Sequence, residues 1–210
     1  MTQPRRRTQA ERSAGTRQLL LDAAIGCLHA HGYAATTTMR VAEEAGVSRG
    51  AMLHQFRTKA DLMTFVVEAV FEREIVAYGE LLGGITDARE RLLAYPDAVW
   101  KVLSQPSGVA VLEILQGSRS DETLREMLQP VQARIEEQAL AYTRFAQSPA
   151  QREGARALMR LIVWSMRGLS VADVLDPDHS VTGAVKLLKQ LLSAGLETGV
   201  LKASSREEER

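Results

Sequence analysis

The residues of this chain that could do chemistry are few, and their types favour recognition over catalysis. Ser48, Arg49 and Gly50 stand together in the stretch from Thr36 to Phe56, TTTMRVAEEAGVSRGAMLHQF. Ser48 is placed to open a short helix, its hydroxyl accepting an otherwise orphaned backbone N–H of the first turn. Arg49 and Gly50 follow at once, so a cation and a bare backbone sit at the leading tip, the part of such a helix that meets a DNA major groove. Covalent chemistry has no comparable signal. The sequence holds no phosphate-cradling glycine loop, no His-Glu-x-x-His, no pair of cysteines and no serine in a nucleophile-elbow setting, so the chain is not expected to be an enzyme. Asp176, Asp178 and His179 form the one cluster of metal-like composition. Asp-Pro-Asp-His between two helices reads as a turn plus a helix cap, and no metal or cofactor is expected.

The tip needs elements to hold it. Thr37 caps a preceding helix in which Thr38, Val41, Ala42 and Ala45 follow one helical face. That helix stops at Gly46, which can take the positive φ of a C-cap, and Val47 folds back as the apolar plug of the turn. Ahead of this helix-turn-helix a longer helix is expected from Ala14 to His31, ending at Gly32, with Leu20, Ala24, Cys27 and Leu28 packing beneath its neighbours. Cys27 lies in that stripe, so it reads as a small core hydrophobe in a reducing compartment, with redox sensing as the other reading. His29 and His31, two residues apart, fall on different faces and share no metal. Residues 1–13 carry Arg5, Arg6, Arg7 and Arg12 with almost nothing apolar. They read as a flexible basic arm, either simply disordered or touching phosphates or a minor groove.

A formal net charge of zero hides an asymmetry. Residues 1–60 hold nine Lys and Arg against four Asp and Glu, the remainder seventeen against twenty-two. A basic head on an acidic body fits a nucleic-acid contact. No apolar run approaches the roughly 18 residues of a membrane span, and residues 1–20 lack a secretory apolar stretch. A soluble, cytoplasmic protein without a membrane partner is expected.

From Arg17 to Leu62 the residues Ala23-Ala24, Gly32-Tyr33, Thr36-Thr37, Ala42, Ala45-Gly46-Val47-Ser48, Gly50, Phe56, Lys59 and Leu62 resemble, in order and spacing, the N-terminal domain of the TetR (tetracycline repressor) family. The resemblance implies a dimeric, one-component transcriptional regulator, with a three-helix operator-binding head and an all-helical body that binds a small effector. It also implies a DNA-facing set, here Thr37, Met39, Ser48, Arg49, Gly50, Leu53, His54 and Lys59. Two positions depart from the family: Leu53 stands where a tyrosine is common and Gln55 where a histidine is common. Leu53 cannot donate a hydrogen bond, so a thymine-methyl contact replaces a phosphate contact and His54 or Gln55 is left to supply the donor. Lys59 sits at the tip of a further helix opened by Thr58 and Asp61. The helix dipole disfavours a cation there unless phosphate neutralises both, a solvated lysine being the alternative.

The rest of the chain reads as helices only, which makes the fold all-α with about nine helices. On the helix from Ala155 to Leu175, apolar nearly all round, Arg156, Arg160 and Arg167 share one narrow stripe. Trp100, Glu113, Met127, Tyr142, Phe145 and Trp164 lie on helices that the family arranges around its effector cavity, though each also reads as plain core. Glu113, inside an apolar run, must be paired, protonated or at a cavity edge. On the last helix Val181, Ala184, Val185, Leu188, Leu191 and Leu192 form a seam that builds either a four-helix homodimer interface or an intramolecular core. The expected organisation is a flexible basic arm (1–13), a helix-turn-helix domain (14–57), an effector-binding and dimerisation body (58–202) and a flexible tail (203–210). The expected function is sequence-specific binding of double-stranded operator DNA by a repressor, released from a palindromic site by a small molecule. The alternative is a helical adaptor or an enzyme-like ligand-binding protein without operator binding, from which a steep salt dependence of duplex binding would separate it.

Overall fold

Helix follows helix along the chain, a computed structural model of which describes residues 8–143, 149–176 and 181–201. Among the described residues there are nine helices and no strand: α1 (Gln9–Ala35), α2 (Thr38–Glu44), α3 (Arg49–Gln55), α4 (Lys59–Leu82), α5 (Ala88–Leu103), α6 (Pro106–Gly117), α7 (Glu122–Thr143), α8 (Pro149–Leu175) and α9 (Val181–Glu197). The caps read from the sequence set the junctions. Thr37 Oγ1 accepts the Arg40 N–H at 3.1 Å and Ser48 Oγ accepts the Ala51 N–H at 3.2 Å. Thr58 and Asp61 exchange bonds, Asp61 N–H to Thr58 Oγ1 at 3.0 Å and Thr58 N–H to Asp61 Oδ2 at 2.9 Å. Between α2 and α3, Gly46 takes φ of 63°. Its N–H reaches the Glu43 carbonyl at 3.1 Å and the Val47 N–H returns to the Ala42 carbonyl at 2.9 Å, the paired bonds of a Schellman ending.

α1 begins before the expected Ala14. Thr8 and Glu11 form a reciprocal capping box, and Gln9 to Ser13 are therefore helical and not part of an arm. Arg12 stands exposed on that helix; Arg5, Arg6 and Arg7 lie outside the described residues, as do Phe145, Asp178, His179 and the expected tail. Near its other end α1 is interrupted by Gly32, whose φ of 73° turns the chain toward α2.

The helices divide into two units, and the division does not fall at the expected boundary between residues 57 and 58. One unit is Met1–Val70 with Ala110–Gln129, the other Phe71–Val109 with Pro130–Arg210. The helix-turn-helix is thus packed together with the second half of α6 and the start of α7. Leu20 and Leu28 of α1, Val41 of α2, Met52 of α3, Leu62 and Met63 of α4, Ile114 of α6 and Leu124 of α7 are all fully buried. Cys27 is buried with them as a free thiol. Beside this core the Arg17 guanidinium lies 5.1 Å from the Phe56 ring centroid and 4.4 Å from that of Phe65, fastening the end of α3 to α1 and α4.

In the second unit α5, which continues through Pro96 as one helix, packs on α8 and α9. Its core includes Leu92, Tyr95, Val99, Leu103, Ile162, Met166, Val185 and Leu192. The six residues expected to form a seam on α9, as a dimer interface or as an intramolecular core, divide between inside and outside. Val181, Val185 and Leu192 are buried within their own chain and Leu188 is half-buried, whereas Ala184 and Leu191 remain exposed. α9 is apolar around more than one face, and one of these packs on α5. The outward face runs through Leu187 and Leu191, the latter 60% exposed. On α8 the arginine stripe also divides. Arg156 pairs with Glu137 at 3.0 Å and Arg160 with Glu136 at 2.9 Å, both on α7, while Arg167 is buried.

A Cβ placed on Gly46 would meet nothing within 4 Å, so Gly46→Ala isolates the left-handed backbone of the turn. The substitution is expected to lower stability by about 1–2 kcal/mol, seen as a lower urea midpoint at unchanged slope. An unchanged midpoint would contradict the turn described here.

Candidate nucleic-acid interface and its support

α3 has only seven residues, too few to persist on its own hydrogen bonds. Packing holds it. Met52 and Phe56 are buried, which turns Arg49, Gly50, Leu53 and His54 to the surface. Thr37, Met39 and Ser48 are exposed as well. Because Thr37 and Ser48 use only their oxygens in capping, each hydroxyl retains its hydrogen for donation to an acceptor such as a phosphate oxygen. Arg40 and Arg57, which the sequence reading passed over, add two exposed cations to the same unit. Arg40 is steadied by a bond from Nη1 to the Ala35 carbonyl at 3.1 Å. Gln55 is committed elsewhere: its side-chain amide donates to Ser13 Oγ at 2.9 Å and ties α3 to α1. His54 is left as the exposed donor beside Leu53.

The turn between α1 and α2 is held by a cluster around Tyr33. Its backbone N–H donates to Glu113 Oε2 at 2.9 Å, and its hydroxyl donates to Asp121 Oδ2 at 2.7 Å. Its carbonyl accepts from Lys59 Nζ at 2.6 Å, and the same ammonium lies 3.8 Å from the ring centroid. The ring rests on Gly117 so closely that a Cβ there would come within 2.3 Å of it. Burial and then the bond to Asp121 push the Tyr33 hydroxyl far above its ordinary pKa. The Leu124 backbone N–H and then the Tyr33 hydroxyl hold Asp121 below the usual carboxylate range. Burial lowers Lys59 while the Asp121 charge opposes the shift. Lys59, expected to require a phosphate at the tip of α4, therefore finds a carbonyl, an aromatic face and a nearby carboxylate within its own chain. Sequence reading found Gly32-Tyr33 but not its partners. The signal was present in Gly117, a glycine at a helix end, and in Asp121, a cap whose second oxygen is free for a phenol.

The described residues among the six expected around an effector are found in both units. Glu113 and Met127 belong to the first unit, Trp100 and Trp164 to the second. The Tyr142 side chain and Phe145 lie outside the described residues. Trp100 lines a groove of the second unit with Leu93, Asp97, Val185 and Lys189. Trp164 is 48% exposed on α8, with the Arg167 guanidinium 5.9 Å from its ring centroid. Glu113, the carboxylate that had to be paired, is paired by the Tyr33 N–H.

Comparison with known proteins fits this geometry. The model of the family described as bacterial regulatory proteins, tetR family, matches residues 20–64. The HTH-type transcriptional regulator CymR of Pseudomonas putida is 31% identical over 182 residues, which cover 83% of this chain and 87% of that protein. Among solved structures, a transcriptional regulator from Rhodococcus sp. Rha1 superposes with a TM-score of 0.66 at 19% identity, over 87% of this chain and 96% of its own. The multidrug binding protein EbrR, solved in complex with imidazole, superposes with a TM-score of 0.61 at 21% identity, over 91% and 98%.

Two substitutions test the Tyr33 cluster. Gly117→Ala must displace the ring or the helix and is expected to cost about 1–3 kcal/mol in chemical denaturation. For Asp121 the folded-state pKa is depressed, so its contribution to stability is present above the ordinary carboxylate value near 4 and is lost as pH falls through the lower folded value. Asp121→Asn should thus lower the urea midpoint at pH ~6, with the gap to the unsubstituted protein narrowing toward pH ~3. A gap independent of pH would dissociate the carboxylate from the stability of the turn.

Proposed function

The chain belongs to the tetR family of bacterial regulatory proteins, and from that premise we propose that it represses transcription by occupying a palindromic operator as a homodimer, which a small-molecule effector releases. Proteins of this family are DNA-binding transcriptional regulators and not enzymes, and so is this chain. The observation that carries the finer reading is the surface of α3, where Met52 and Phe56 anchor the helix and Arg49, Gly50, Leu53 and His54 face outward. Arg49 at the leading tip suits a guanine edge, Leu53 a thymine methyl, and Thr37 and Ser48 suit phosphate oxygens. Met39 adds an apolar groove contact. Lys59 enters as a positioning residue, because its ammonium is bonded to the Tyr33 carbonyl.

Dimerisation is supported by apolar side chains left exposed on the last two helices, Leu161, Trp164 and Val171 of α8 with Leu187 and Leu191 of α9. Two heads on one palindrome must present their recognition helices about 34 Å apart. A ligand that shifts the body of each protomer releases the DNA by changing that distance, to the extent of its own differential affinity for the two states. The imidazole complex of EbrR supports small-molecule binding as a use of this fold.

Selection of tight binders from random-sequence duplexes by the full-length protein should recover a palindrome. With two heads each neutralising about five phosphates, log affinity should fall against log salt with a slope of roughly −9. Arg49→Ala should lose affinity for the selected site by about tenfold or more while changing random-duplex binding far less. Leu191→Glu should sediment as a monomer and lose the full palindrome. Recovery of no palindromic site, or an Arg49→Ala protein that binds it normally, would end this reading.

A further inference from the structure

The second unit contains charge that its own packing does not neutralise. Glu74 of α4 is only 9% exposed, and its Oε1 has no hydrogen-bond partner. Arg167 of α8 is 8% exposed, and the structure gives its guanidinium one hydrogen bond, from Nη1 to the Gly108 carbonyl at 3.2 Å. A guanidinium carries five N–H donors. Each charge acts on the other through space. Burial raises the Glu74 pKa and Arg167 lowers it, while burial lowers the Arg167 pKa and Glu74 raises it. Yet among the described residues the two do not close into an ion pair. Tyr78, one turn beyond Glu74, and Tyr95 of α5 both feel the same carboxylate, and burial followed by that charge holds both phenols well above their ordinary range. Their ring centroids are 6.1 Å apart. The buried side chains of this unit are otherwise almost all apolar, Val99, Leu103, Ile162 and Met166 among them.

A buried carboxylate without a hydrogen bond is strongly disfavoured, and opposite charges in an apolar interior attract strongly. A pair whose role was only structural would gain by closing. A pair held open suits a molecule that accepts from the guanidinium and donates to the carboxylate. Because the two charges cancel, an ionic occupant would leave one charge buried without a counterpart. We propose that the interior of the second unit between Glu74, Tyr78 and Arg167 is a ligand site for a small uncharged molecule with an apolar body and a hydroxyl or amide end. This rests on the effector reading above and names the chemical class of that effector.

Three probes of matched size separate the classes: benzyl alcohol, benzoate and benzylamine, titrated by NMR into the full-length protein and into Glu74→Leu and Glu74→Gln. Benzyl alcohol should bind the unsubstituted protein about tenfold or more tighter than either ion. Glu74→Leu, which removes the acceptor, should weaken benzyl alcohol by about tenfold. Glu74→Gln, which keeps a carbonyl acceptor, should stay within about threefold and controls for folding. Benzoate or benzylamine binding as tightly as the alcohol, or an alcohol affinity unchanged in Glu74→Leu, would overturn the assignment. Release of the selected operator is read separately. A benzyl alcohol that binds through Glu74 without releasing DNA keeps the site and refutes its effector role. A different compound that releases DNA equally from Glu74→Leu keeps the effector reading and refutes this site.

Discussion

Everything the head does depends on how one aromatic residue is held. Tyr33 sits just after Gly32, where a positive φ turns the chain out of α1, and each of its polar groups has a fixed partner. Glu113 takes its N–H, Lys59 supports its carbonyl, Asp121 accepts from its hydroxyl, and Gly117 gives its ring a surface without side chain. The following residues inherit that position. Thr36 is fully buried, with its hydroxyl on the Gly32 carbonyl at 2.8 Å, and Thr37 then caps α2. α2 and α3 have seven residues each and no internal rigidity to spare, so the placement of the recognition surface is a consequence of the turn before it.

Two polar clusters among the described residues, one half-buried around Tyr33 and one buried around Glu74 and Arg167, differ in a physically informative way. Around Tyr33 every group has a partner within hydrogen-bonding distance, as a network with a structural role requires. Around Glu74 and Arg167 the charges sense one another without contact, and one carboxylate oxygen is unsatisfied. The first arrangement stabilises one conformation. The second leaves a buried carboxylate oxygen that a partner of complementary polarity would stabilise.

The apolar surface makes a parallel distinction. α9 has enough apolar residues to cover its own chain and still present a second face, so the same helix serves the core through Val181, Val185 and Leu192 and offers Leu187 and Leu191 outward. In the first unit the exposed apolar residues are spread over α1, α2 and α3. Its exposed large apolar residues are Leu19, Met39 and Leu53, and the last two share the surface with the exposed Arg40, Arg49 and Arg57.

The local chemistry of the chain was legible from the sequence. Caps at Thr37, Ser48 and Thr58, the turn at Gly46 and the nine-helix all-α plan are short-range properties, settled by residues within one turn of each other, and the residue-by-residue resemblance of the head marked its family. What tertiary structure decided were pairings across long sequence separations. Glu113 could be recognised as a carboxylate needing a partner, but that its partner is an amide eighty residues away depends on α6 meeting α1. Lys59 seemed to need an external anion because its neighbours in sequence offer none, and its actual partners come from the α1–α2 turn. The seam of α9 was visible as a stripe, yet which half faces inward depends on where α5 lies. Glu74 occupies the apolar register of α4 four residues before Tyr78, and that break in pattern was present in the sequence. Only the arrival of Arg167 from α8, near enough to act on the carboxylate and too far to pair with it, gave it meaning, because the energy of a buried charge is set by what the fold brings around it and not by its neighbours along the chain.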